Sequence, residues 1–204
     1  METWRLTNGI RRQAGTLGQA ISVLCLGFAI SACGGGGSGG QSHYLTYSAD
    51  GLSFRYPRTW LTETYKHPPF TFSTPIVNLS TTKLRNPCIT TGSQSVCGLP
   101  LNVLPPRSVL VLWSEVGRPT TSPIVSFPNT TLGDRAARVV TGPPTKSEPC
   151  SGLSGTTTTI TAEIQLQPPD NEYDMTACLR GPDLDLLSQQ INSMLKSVAV
   201  SRQM

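Results

Sequence analysis

Histidine is almost missing from this sequence. His43 and His67 are the 2 in the chain, and neither stands in a catalytic pattern. No Gly-x-Ser-x-Gly elbow and no His-Glu-x-x-His pair occurs, so the common serine-hydrolase and zinc-peptidase layouts are excluded. Charge is also sparse. Charged residues make up 14% of the chain with a formal net charge of +4, and no basic stripe forms, which argues against nucleic acid as a partner. Long helical patterns are nearly absent, while Pro and Thr are plentiful, a composition that suits strands joined by Pro-rich loops. The longest apolar run, Ala20 to Ile30 with Ser22 as its one polar residue, covers only about half of a ~30 Å hydrocarbon core at ~1.5 Å per residue. It is too short for an ordinary spanning helix.

What surrounds that run is more informative. Arg5, Arg11 and Arg12 precede it with only Glu2 in opposition, as in the positive start of an export signal. Ile30, Ser31, Ala32 and Cys33 follow it. This tetrad resembles the lipobox of bacterial lipoproteins: an aliphatic residue, two small residues and a cysteine. The resemblance implies that diacylglycerol is attached to the Cys33 thiol, that the leader is cut just before Cys33, and that the new amine also receives an acyl chain such as palmitate. Acyl chains contribute roughly 0.8 kcal/mol per buried methylene, and two or more of them anchor stably. The Arg11-Arg12 pair raises the twin-arginine route, but Gln13, Ala14 and Gly15 follow it in place of large apolar residues.

Gly34 to Ser42 then reads as a tether, about 15–18 Å long as flexible coil. No Lys-Ser/Thr pair accompanies the glycines, so a phosphate-binding loop is not indicated. The expected organisation is a signal peptide over 1–32, lipidated Cys33 with its tether over 33–42, and a globular domain over 43–204. The expected location is the extracytoplasmic face of the cell membrane.

Of the 6 cysteines, the lipobox resemblance implies that Cys25 leaves with the leader and that Cys33 is the anchor. Cys88, Cys97, Cys150 and Cys178 remain, an even set in an exported chain, which argues for disulfides. Three connectivities are open to such a set. Cys88–Cys97 with Cys150–Cys178 is preferred: the first pair brackets the polar loop "ITTGSQSV", and the second pins the loop "PPTKSEPCSG" to a strand. Loop-closure entropy gives about 2.7 and about 3.6 kcal/mol for these bridges before strain is subtracted. No Cys-x-x-Cys spacing or nearby His points to zinc.

Within the domain, "YLTYS" and "LSFRY" flank Ala49-Asp50-Gly51, the pattern of a tight β-hairpin. Leu52, Phe54 and Tyr56 share one face of the second strand. Short β-branched runs follow at "FTFS", "IVNLS", "SVLVLWSEV" and "RAARVV". The two-sided apolar pattern of "SVLVLW" predicts a central strand. Ile160, Ala162, Ile164 and Leu166 alternate with polar residues, and Met175, Ala177 and Leu179 alternate beyond the turn "PPDNEYD", predicting an antiparallel pair. A single helix is predicted over 182–198. Pro182 suits its first turn, Asp183 and Asp185 face the positive end of the dipole, and Leu184, Leu187, Ile191, Met194 and Val198 form an apolar stripe.

"DGLSFRYPRTW", "LGDRAARVV" and "ACLRGPDLDLLSQQINSMLKSV" resemble the opening hairpin, mid-domain strand and final strand-helix of PsbP-like domains. In several actinobacterial lipoprotein groups such a domain follows a lipobox and a Gly/Ser linker. The implied fold class is α+β, an antiparallel sheet with a packed helix in an α/β/α sandwich. The sequence departs from that pattern in showing no second long amphipathic helix.

No residue is singled out as catalytic, and no metal or cofactor is expected. The acidic turn Asp170, Glu172 and Asp174 would need Gly in place of Met175 and Glu in place of Gly181 to be an EF-type loop, so it reads as a solvated hairpin tip. Phe54, Tyr56 and Trp60 are candidates for lining an apolar ligand pocket, against the plainer reading of core. The expectation is a non-enzymatic, membrane-anchored domain that binds a lipid, glycolipid or envelope protein. An accessory subunit of a membrane complex, or a hydrolase using His67 and the acidic turn, are the alternatives.

Overall fold

The computed structural model describes residues 42–65, 73–91, 94–117, 127–146, 148–166 and 171–201. The chain divides into Met1–Gly39 and Gly40–Met204. All core residues named below, and both disulfides, belong to the second unit, so it carries its own core. No helix of the described residues is long and apolar enough to cross a membrane.

The hairpin at Asp50-Gly51 forms as its residues dictate. Strands β1 (Tyr44–Ala49) and β2 (Leu52–Pro57) pair with Ala49 opposite Leu52, leaving a two-residue turn. Asp50 and Gly51 have φ of 51° and 73°, the left-handed pair that matches strand twist and that Asp-Gly adopts at low cost. Leu52, Phe54 and Tyr56 are buried on one face while Arg55 is exposed.

The main sheet contains β3 (Leu61–Glu63), β4 (Ser73–Ser80), β7 (Ser108–Gly117), β8 (Thr130–Leu132), β9 (Arg135–Gly142), β10 (Thr158–Gln165) and β11 (Asn171–Arg180). Its order is β3-β4-β7-β11-β10-β9-β8, antiparallel throughout. β5 (Cys88–Thr91) and β6 (Gln94–Cys97) form a separate ribbon, and β12 (Ala199–Val200) adds to β2 to complete a small sheet. β7 is interior and buried on both sides over Ser108–Val111, as its two-sided pattern predicts. β10 turns Ile160, Ala162 and Ile164 inward, again as the alternation predicts. "FTFS" lies mostly outside the described residues.

The main sheet is covered differently on its two faces. On one face lie β2 and the helix α1 (Leu184–Lys196), which packs on β2, β10 and β11 through Leu187, Ile191, Met194 and Leu195. On the other face Leu110 of β7 and Cys178 of β11 meet Leu84, Leu104, Cys150 and Leu153. These come from loops and from a 3-10 turn at Pro149–Gly152. The fold is α+β: one long helix packed against a multi-stranded antiparallel sheet. Where a second helix would lie in a sandwich, the described cover is a loop layer pinned by a disulfide.

The helix starts later than its sequence suggests. Asp183 has a non-helical ψ of 41° and stands before the first helical residue, Leu184, so Pro182 precedes the helix. The loop layer holds this stretch: Arg107 donates its backbone N–H to the Gly181 carbonyl at 3.1 Å, and its guanidinium pairs with Asp183 at 3.3 Å. The far end is closed by Ser197. Its hydroxyl donates to the Met194 carbonyl at 2.7 Å and accepts the Arg55 N–H at 2.8 Å, joining helix to hairpin.

Candidate functional site

Phe54, Tyr56 and Trp60 are core residues. Phe54 stacks between Tyr47 and Trp113, with ring centroids 5.1 and 5.2 Å away, and Tyr56 meets it edge-on at 6.3 Å. The Trp60 N–H donates to the Pro57 carbonyl at 3.0 Å, a turn that folds the indole back into the same cluster. All three are buried under the helix side of the sheet.

The residues considered for chemistry are not brought together. Cys33, His67 and Asp170 lie outside the described residues. His43 stands at the entry to β1, where its carbonyl accepts the Arg58 N–H at 2.9 Å. Ser154 of "GLSG" uses its backbone as a sheet bridge to Val103: it donates to the Asn102 carbonyl and accepts from the Leu104 N–H at 2.8 Å. The reading of Glu172 and Asp174 as a solvated tip is corrected. Both belong to β11, on the loop-covered face, with Glu172 at 0% exposure and Asp174 half-buried. The strand begins at Asn171, ahead of where its polar composition suggests, because Glu172 pairs in register with Val116 and Gln165. Among the described residues no three His, Cys, Asp or Glu side chains gather as a metal site.

Tyrosine chemistry concentrates at the hairpin turn. The Tyr173 hydroxyl donates to the Asp50 carbonyl at 2.5 Å. Burial pushes its pKa up to about 12, with the negative charges of Glu115 and Asp50 adding to the effect. Burial also raises the Tyr47 pKa, helped by the charge of Asp50 and a hydrogen bond to it. Both groups stay protonated at neutral pH, and Tyr173 is the donor that fixes the turn.

The disulfides are Cys88–Cys97 and Cys150–Cys178, with Cα separations of 4.0 and 5.4 Å. The first crosses a ribbon, since Cys88 and Cys97 face each other in register. The ribbon continues toward the domain through Gly98 N–H to the Pro87 carbonyl at 2.9 Å and Arg85 N–H to the Pro100 carbonyl at 3.2 Å. At its base runs an open groove of about 290 Å³ lined by Lys83, Leu84, Arg85, Pro100, Leu101 and Asn102. The Arg85 guanidinium donates to the Asn102 side-chain carbonyl, and Leu84 is buried beneath. Two aliphatic side chains stand out nearby in the chain, Ile89 on β5 at 73% exposure and Val103 at 54%.

No protein-family model matches this chain, and no curated protein matches it in sequence.

The groove is therefore read from its own chemistry, a pair of cations over an apolar floor. Sequence reasoning did not single it out. Its residues come from two segments on either side of the Cys88–Cys97 ribbon and show no helical or strand period. The available signal was the pair of cations flanking Leu84 just ahead of a cysteine.

Proposed function

We propose that this chain is an exported lipoprotein whose domain works as a non-catalytic binding module at the outer face of the cell membrane. In this reading the leader 1–32 is removed, Cys33 carries diacylglycerol and an amide-linked acyl chain, and Gly34–Ser42 tethers the domain. The observation that carries it is the pairing of all four domain cysteines into disulfides. Paired structural cysteines belong to oxidising, extracytoplasmic compartments, and here they follow a charge, apolar run, lipobox and linker in the order export requires. The Asp-Gly hairpin and the C-terminal helix packed on an antiparallel sheet support a PsbP-like domain. That likeness concerns fold, and fold by itself does not assign function.

Replacing Cys33 with Ser tests the anchor. The expected result is release from the membrane fraction or an uncleaved precursor, with loss of the lipid mass from the N-terminal peptide. Unchanged fractionation with an unchanged N-terminus would overturn the lipoprotein reading. Native mass spectrometry of the protein from its own host tests the binding role through lipidic molecules that co-purify.

A further inference from the structure

We propose that the part of the loop layer formed by residues 81–107, with its Cys88–Cys97 ribbon, docks on an anionic bilayer, with the groove between residues 83–85 and 100–102 seating a lipid phosphate. This rests on the membrane-tethered reading above and adds which face of the domain meets the membrane.

No Asp or Glu occurs between Glu63 and Glu115, whereas Lys83, Arg85 and Arg107 all fall in that interval. Arg107 is paired with Asp183 at 3.3 Å. Among the described residues no carboxylate pairs with Lys83 or Arg85, which stand at the groove. Arg85 is held by its side-chain bond to Asn102 and its backbone bond to Pro100. One donor is used in that side-chain bond, and a guanidinium has five N–H groups, so donors remain for a phosphate oxygen. Preorganisation of this kind lowers the entropy cost of binding.

Size and apolar character agree with this occupant. At about 290 Å³ the groove lies just below the range of ligand pockets, about 300 to 1,000 Å³. It suits a headgroup and not an acyl chain. Ile89 and Val103 are exposed beside it in the chain, and cations next to exposed aliphatics are the side-chain mix that sits at a headgroup boundary. Ile89 is carried on a ribbon crosslinked by Cys88–Cys97, so inserting it orders little that is not already ordered. As flexible coil, a Gly34–Ser42 tether has a root-mean-square span of about 15–18 Å, short enough for a weak surface contact to be populated by effective concentration.

The test uses residues 40–204, which carry their own core and both disulfides and lack Cys33. Co-sedimentation is measured with vesicles of phosphatidylcholine alone and of phosphatidylcholine with phosphatidylglycerol in equal parts. The expected result is binding to the anionic vesicles only, weakened by salt. Lys83→Gln with Arg85→Gln should reduce it by about fivefold per cation removed. Ile89→Trp should be quenched by brominated lipids in the anionic vesicles. Equal partition into both vesicle types, no change in the double variant, or an unquenched Ile89→Trp would each overturn the proposal. Capture of inorganic phosphate with no vesicle binding would also overturn it, assigning the groove to a soluble anion. An unlipidated Cys33 in the native protein would sink the tether reading while leaving this result standing, so the two failures are distinguishable.

Discussion

Tyr173 of β11 donates its hydroxyl proton to the backbone carbonyl of Asp50 at 2.5 Å, tying the far edge of the domain's first hairpin to the centre of its main sheet. The residue is 1% exposed, and its pKa rises from the ordinary 10.0 to about 12, chiefly through burial. Folding thus favours the neutral phenol. The stability this contributes is complete below pH 10 and is lost as pH rises toward 12. Tyr173→Phe should cost about 1 kcal/mol at neutral pH for the lost hydrogen bond. It should also flatten the fall in stability between pH 10 and 12. Urea unfolding across that range checks both, and an unchanged slope in the variant would place the titration elsewhere.

The hairpin that Tyr173 secures was legible from Ala49-Asp50-Gly51 because a tight turn is a local problem with few residue solutions. The Ile160–Ile164 alternation was legible for a similar reason, since one face of β10 meets the helix-side core. What was not legible is non-local. Glu172 looks like a loop residue until β7 and β10 are placed on either side of it. The second-face cluster of Leu84, Leu104 and Leu153 is scattered over three loops and has no period. The start of α1 at Leu184 is set by Asp183 standing before it as the non-helical cap, next to contacts with Arg107 that are distant in sequence.

Phe54 provides a test of core against pocket. It stacks on Trp113 and Tyr47 within the main cluster. Phe54→Ala should therefore cost about 3–5 kcal/mol, the usual range for a buried aromatic truncated in a core. A pocket-lining residue would instead lose ligand uptake with little effect on stability. Thermal unfolding of the variant, measured without ligand, separates the two.

Gly155 packs closely within the loop layer. Its φ is +91°, and a Cβ there would meet the Arg180 guanidinium and the Leu104 carbonyl oxygen, the latter at 2.9 Å. Arg180 itself donates to that carbonyl at 2.6 Å. Gly155→Ala should lose about 1–3 kcal/mol from backbone strain alone, and more if the Arg180 bond is displaced. Hydrogen exchange should locate the loosening at Leu104 and Ser154, whose N–H groups pair the two loops. Loosening confined to α1 would contradict this assignment.

The two disulfides should differ in what they hold. Cys150–Cys178 closes the longer loop, with a sequence separation of 28 against 9 for Cys88–Cys97, and its cysteines belong to the second-face core. Cys88–Cys97 braces a ribbon that is a separate sheet, outside both core clusters. Loop-closure entropy sets about 3.6 kcal/mol for the former and about 2.7 kcal/mol for the latter. Removing the buried pair also discards packing, so Cys150→Ala with Cys178→Ala should cost about 4 kcal/mol or more. Cys88→Ala with Cys97→Ala should cost less and leave near-ultraviolet signals of the aromatic core unchanged. Guanidinium unfolding of each double variant, without reductant, measures the difference. A larger loss from the ribbon pair would mean that the ribbon, and not the Cys150 loop, holds the cover on the second face.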